Sequence, residues 1–176
     1  MMNRKSPRYI STMAMLIAVA LILAYVETLI PALPIPGAKI GLPNIVALLA
    51  LLTLGFADAL VILFVRAVVS SLLFTSVMSL AYSLAGGILS LVVMFLLTRM
   101  YKKEQIGFSV LFVSVMGAVA HSTGQVLVAM FVMSTASLLY YLPWLVVISV
   151  ITGLFVGLVV YFVYRPFQRV LKSGAR

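Results

Sequence analysis

Arg66 stands inside an almost unbroken apolar run, Ala59 to Phe74. A guanidinium does not shed its charge by losing a proton, so in an apolar setting it requires a partner, a water-lined cavity or a ligand. Once the basic clusters at the ends of apolar stretches are set aside, the other charged or titratable residues are Glu27, Lys39, Asp58, Glu104 and His121. Two readings of Arg66 are open. It is either a structural cation, paired with Glu27 or clamping carbonyls of a broken helix, or the counter-ion of an anionic ligand. Ser70 lies one helical turn further on and would extend a polar strip along the same face.

Gly117, His121 and Gln125 recur at four-residue steps, which places small and hydrogen-bonding groups on one helix face. His121 and Gln125 are therefore either interhelical hydrogen-bonding groups or ligand contacts. Lys39 lies in LPIPGAKIGLPN, Leu33 to Asn44, where three prolines and two glycines rule out a continuous helix. Such a segment holds backbone groups at low entropic cost, and could cap a pocket and present Lys39 or Asn44 to a ligand. The candidate binding set is thus Glu27, Lys39, Asn44, Arg66, His121 and Gln125.

The chain has 176 residues, 65% hydrophobic and 9% charged, with a mean hydropathy of +1.28. Polar surface is too scarce to cover a water-soluble core, so the composition predicts an integral, multi-pass membrane protein in contact with the lipid bilayer. The first apolar stretch has no small-residue cleavage site before Glu27 and is expected to be retained as a helix. A formal net charge of +9 would suit nucleic acid in a soluble domain. Here the basic residues flank apolar stretches, where they orient helices against anionic lipid, and no nucleic-acid partner is expected.

The elements that would position these residues follow from hydropathy and breakers. All-α architecture is expected, with six transmembrane helices forming a single domain over residues 1–176, at about 9–29, 44–54, 58–76, 78–97, 107–133 and 142–164. LGFADAL, Leu54 to Leu60, supplies the turn between the second and third, with Asp58 suited to the N-terminus of the third. The alternative is one helix from Leu42 to Val65 and five spans. Six spans put Arg4, Lys5 and Arg8, then Arg99, Lys102 and Lys103, then Arg165, Arg169, Lys172 and Arg176 on one side, so both termini are expected in the cytoplasm. Tyr140, Tyr141 and Trp144 read as an interfacial aromatic belt at the opposite side.

Small residues form two more patterns. On the first helix Ala14 and Ala18, then Ala20 and Ala24, permit close helix approach; on the fourth, Ser79, Ser83, Gly86, Gly87 and Ser90 form a packing face. The methionines read as lipid-facing groups or core filler. Cysteine is absent, and there is one histidine, so no metal site and no cofactor are expected. The chain has no P-loop, HExxH or nucleophile elbow, and its three acidic residues cannot supply paired magnesium-binding motifs. It is not expected to be an enzyme by itself.

The alanine spacing, the long proline-rich loop and the turn at LGFADAL resemble the substrate-binding S component of energy-coupling factor (ECF) transporters. More narrowly, LPIPGAKIGLPN, LGFADAL and the arginine of the third helix resemble the bacterial membrane family called heptaprenyl diphosphate synthase component I, or Gx transporter family. The wider resemblance implies an outward pocket covered by the first loop, with the first helix docked on a transmembrane coupling subunit. Carried onto this chain, it assigns docking to Ala14 and Ala18, and ligand contact to Lys39, Asn44, Arg66 and His121. The function expected is uptake of a small, anionic vitamin- or precursor-like molecule across the bacterial plasma membrane, energised by separate ATPases. The alternatives are a noncatalytic membrane component of heptaprenyl diphosphate or menaquinone synthesis, and a membrane accessory of a flavin and quinone electron-transfer system.

Overall fold

The protein is described here by a computed structural model, in which residues 6–30, 41–100 and 106–173 are placed. Among these residues every regular element is helical: α1 (Pro7–Leu29), α2 (Asn44–Thr53), α3 (Phe56–Leu73), α4 (Val77–Met100), α5 (Ile106–Met133), a short 3-10 helix (Ala136–Tyr141) and α6 (Leu142–Ser173). Arg4, Lys5, Lys102, Lys103 and Arg176, which carry part of the topology argument, lie outside the described residues, as do Lys39 and Glu104.

Local chemistry sets the helix boundaries. Ser6 caps α1 by accepting a hydrogen bond from the Tyr9 amide at 3.2 Å, and Pro7 follows in the first turn, where its missing N–H costs nothing. Gly55 separates α2 from α3 with φ 110° and ψ 179°, a conformation essentially restricted to glycine. The continuous helix from Leu42 to Val65 does not form. Ser76 starts α4 by accepting from the Ser79 amide at 3.2 Å. The stretch after α5, which holds Tyr140 and Tyr141 of the expected aromatic belt, winds into the 3-10 helix, and α6 continues past Pro166 to Ser173 instead of ending near Tyr164.

Among the described residues five helices are long and apolar enough to cross a membrane, which makes this a multi-pass membrane protein. The sixth expected span is different. The ten residues of α2 rise about 15 Å, half of the roughly 30 Å of hydrocarbon, so α2 does not cross by itself. Val46 to Leu51 are all buried, Leu48 and Ala50 completely. A short helix that is apolar on every side is stable only when protein surrounds it, and α2 packs on α1, α3, α4 and α6. It is the centre of the bundle.

Around it the longer helices follow one another. α1 packs on α3, α3 on α4, α4 on α5 and α5 on α6, with the two largest interfaces made by α5. The main apolar core joins Leu16, Leu48, Ile62, Leu91, Val113 and Val160, drawn from all six helices.

The first turn of α1, the start of α3 and the end of α4 meet at one end. There the Tyr9 hydroxyl donates to Asp58 Oδ1 at 2.8 Å, Phe56 packs on Phe95, and Arg99 lies over the Phe95 ring at 4.9 Å. Asp58 falls in the first turn of α3 as expected, but Gly55 occupies the cap position and the carboxylate serves Tyr9 instead.

Candidate functional site

Each charged or amide side chain in the interior is delivered by a different stretch of helix. Glu27 comes from the last turn of α1, Asn44 from the first turn of α2, Arg66 from the middle of α3, and His121 and Gln125 from successive turns of α5. All five are only 3 to 8% exposed. Burial of so many polar groups in a bundle that otherwise packs aliphatic side chains is costly unless they engage one another or a ligand.

The contacts tie four of the elements together. Glu27 Oε1 accepts a hydrogen bond from the Gly41 amide, and its carboxylate acts on the Arg66 guanidinium by Coulombic attraction. The Gly41 bond fastens α1 to the residue three positions before α2.

Gly41 is central to this arrangement and escaped the sequence reading. Its φ is 87°, in the left-handed region that glycine occupies without strain. A β-carbon added here would lie 2.9 Å from Asn44 Nδ2 and 3.7 Å from His121 Cδ2. Glu27, Gly41, Asn44 and His121 therefore form a continuous polar seam. The available signal was a glycine three residues ahead of a helix start, inside a segment already dense in proline and glycine.

On the far side of that seam, His121 Nε2 and Gln125 Nε2 are 3.0 Å apart, one turn from each other on α5. They press against α4 at Gly86, where a β-carbon would approach the His121 carbonyl to 2.7 Å and Nδ1 to 3.1 Å. Gly86 thus allows α5 to bring its polar face against α4. The small-residue face expected on α4 is buried at Ser83, Gly86, Gly87 and Ser90.

Several hydroxyls lie in the same interior. Ser70 follows Arg66 by one turn and donates to the Ala67 carbonyl at 3.2 Å, so the expected polar strip exists but is partly turned onto its own helix. Ser71, Ser83 and Ser90, no more than 6% exposed, have no hydrogen-bond partner for their hydroxyl oxygens among the described residues. Ser83 precedes Gly86 by one turn, and Ser90 Oγ would be 3.3 Å from a β-carbon on Gly117. Buried hydroxyls of this kind are normally satisfied by protein, water or a bound molecule.

The set offers charged and hydrogen-bonding groups suited to recognition. Among the described residues there is no group of three or more His, Cys, Asp or Glu side chains able to hold a metal ion. Arg66 supplies a fixed cation with planar donors, Glu27 a fixed anion, and Asn44, His121, Gln125 and the serines supply neutral hydrogen bonds.

Of the six candidate binding residues, the fold brings five into one interior region. Lys39 lies outside the described residues. The two alanine pairs of α1, alike in sequence, are separated by the fold: Ala20 and Ala24 are buried against the bundle, whereas Ala14 and Ala18 face outward.

No curated protein sequence and no solved structure matches the chain. A family model does, over residues 16–163, a range that runs from α1 through most of α6 and holds every described residue of the seam. This chain belongs to the heptaprenyl diphosphate synthase component I family.

Proposed function

We propose that the protein is a substrate-binding membrane subunit of the bacterial plasma membrane, similar in role to an ECF S component. It captures a small molecule that presents an anionic group to Arg66, and separate coupling and ATPase subunits drive transfer. The observation that supports this reading is the burial of Arg66 in the bundle interior within the electrostatic influence of Glu27, together with a seam of hydrogen-bonding side chains from α1, α2 and α5. Intramembrane charge is expensive and concentrates where ligands or ions are handled. In this reading Lys39 and Asn44 contact the ligand from the loop side, His121 and Gln125 from α5, and Glu27 holds Arg66 in place between ligands.

Two features agree with a subunit rather than a complete transporter. The sequence holds no phosphate-binding loop, so energy must come from partners. Ala14 and Ala18 leave a low-relief strip on the outward side of α1, where a coupling helix can approach closely. The experiment is affinity purification of the membrane complex from native cells, with mass spectrometry of both retained proteins and small molecules. Co-purifying ATPases and a retained anionic compound, lost in Arg66→Gln, are the expected result; an isolated protein with no retained compound would remove the proposal.

The family description favours a second reading, a noncatalytic membrane component of heptaprenyl diphosphate synthesis. Only three acidic residues occur in the chain, and Asp58 and Glu27 lie on separate helices with Tyr9 and Gly41 as partners. That distribution does not supply a magnesium–diphosphate centre, so this role would be to support a catalytic partner. Faster chain elongation by such a partner when this protein is added, with uptake unaffected by its deletion, would select the second reading.

A further inference from the structure

We propose that the end of α6 holds the headgroup of an anionic phospholipid between Arg165 and Arg169, with exposed apolar side chains of the same face against the body of the lipid. The inference is independent of what the bundle interior binds. It begins with length. The 32 residues of α6 extend about 48 Å, more than the roughly 30 Å of hydrocarbon. α6 runs antiparallel to α5, since a β-carbon on Gly153 would meet Val115 and Ala118, and one on Gly157 would meet Leu111 and Ser114. α5 begins at Ile106, so α6 runs on past that level for about ten residues, or about 15 Å.

This extension has two unlike faces. Tyr164 and Phe167 pack against the main apolar core, and Gln168 donates to the Tyr164 hydroxyl at 2.7 Å. The opposite face exposes Arg165, Pro166 and Arg169 together with Phe162 and Val170, which are 66% and 70% exposed. Leu158, Phe162, Pro166 and Val170 recur every four residues, so the exposed apolar stripe of the membrane-crossing part of α6 continues without a break beside the two arginines. Apolar groups flanked by arginines suit the boundary between hydrocarbon and headgroups. Pro166 agrees with that depth. It has no amide to give to the Phe162 carbonyl four residues earlier, and an unpaired carbonyl is costly in hydrocarbon but is met by water at the headgroups.

Arg165 and Arg169 are one turn apart, with β-carbons about 6 Å from each other, a spacing at which two guanidinium groups can share one phosphate. The surroundings favour an anion. Arg8 and Arg99 are exposed at the same end of the bundle, and Asp58 there is buried and engaged by Tyr9. Lys102, Lys103 and Glu104, outside the described residues, contribute a net positive charge in any arrangement. The apolar stripe separates a phospholipid from a free phosphate ion, which would gain nothing from Phe162 or Val170, and its continuity with the membrane-crossing face favours the bilayer over a soluble acidic protein.

The test uses the full chain in nanodiscs of phosphatidylcholine with a minor fraction of phosphatidylglycerol. After transfer to detergent, native mass spectrometry compares how much of each lipid is retained. The parent protein should retain phosphatidylglycerol in preference, and Arg165→Gln/Arg169→Gln should lower that preference about tenfold, the order expected for two basic residues beside an anionic surface. Arg8→Gln/Arg99→Gln, which removes the same charge from the same end, should leave the preference in place. Both arginines of the site are exposed, so the first variant should fold. If it does not, the parent protein is crosslinked to phosphatidylglycerol carrying a photoreactive headgroup, and the crosslink should map within residues 162–170.

Equal loss in the two double variants overturns the site and leaves a diffuse attraction between basic residues and anionic lipid. Absence of a phosphatidylglycerol preference in the parent protein, or a crosslink confined to another segment, overturns it as well. An acidic protein that co-purifies from native membranes with the parent and not with Arg165→Gln/Arg169→Gln, in place of any lipid preference, would give this surface to that protein instead.

Discussion

At the residue scale the seam depends on side chains that are small in two places and charged in two others. Gly86 is the tightest point, since any β-carbon would press on the His121 backbone and ring. Gly86→Val is expected to destabilise the protein by about 1–3 kcal/mol through overpacking, measured by thermal unfolding in detergent. It should also displace His121 from Gln125. At the opposite end, Tyr9→Phe removes a hydroxyl donor from the buried Asp58 carboxylate, and loss of a hydrogen bond to a charged group predicts a cost of about 1.5–3 kcal/mol. An unchanged unfolding temperature in Tyr9→Phe would mean that another group satisfies Asp58.

Arg66 and Glu27 were each legible in the sequence as charges out of place, because hydropathy marks an intramembrane ion wherever it occurs. Gly41 was not. Its role depends on a left-handed backbone and on the closeness of Asn44 and His121, and neither is written in its local composition. The same holds for the three buried serines, which look like ordinary small residues in a helical pattern until the neighbouring helices leave their hydroxyls without partners.

At the scale of elements, the break between α2 and α3 was visible as a glycine followed by an aspartate, and the structure places Gly55 in a conformation that side chains disfavour. A β-carbon there meets nothing within 4 Å, so Gly55→Ala isolates backbone strain from packing. The expected cost is about 1–3 kcal/mol, read from the unfolding temperature. No loss would indicate that the turn relaxes to an ordinary conformation. The character of α2 was the element least legible in advance: an apolar stretch of its composition suits a lipid-facing span or a buried core helix equally, and its ten residues became decisive only when neighbours were seen to surround it on all sides.

At the scale of the whole molecule, α1 has two unlike faces made from similar residues. Ala20→Leu adds bulk to a buried position and should destabilise the isolated protein by about 1–3 kcal/mol. Ala14→Leu and Ala18→Leu lie on the outward face and should leave the stability, read by thermal unfolding, within about 0.5 kcal/mol of the parent. In the proposed transporter they should nevertheless abolish co-purification with a coupling subunit. Intact assembly and uptake in both variants would remove the docking role and leave this face to lipid.

The sequence alone determined that this is a helical, multi-pass membrane protein, that the chain breaks between α2 and α3, and that a few charges sit where charge is costly. These are local properties: hydropathy over a helix length, a proline or glycine at a turn, an ion among apolar neighbours. The tertiary structure decided that α2 is the core rather than a complete crossing, that Ala20 faces inward while Ala14 faces outward, and that Glu27, Gly41, Asn44, His121 and Gln125 line one seam with Arg66. Those outcomes depend on which helix faces which, and helix packing is settled by side-chain complementarity between segments far apart in the chain.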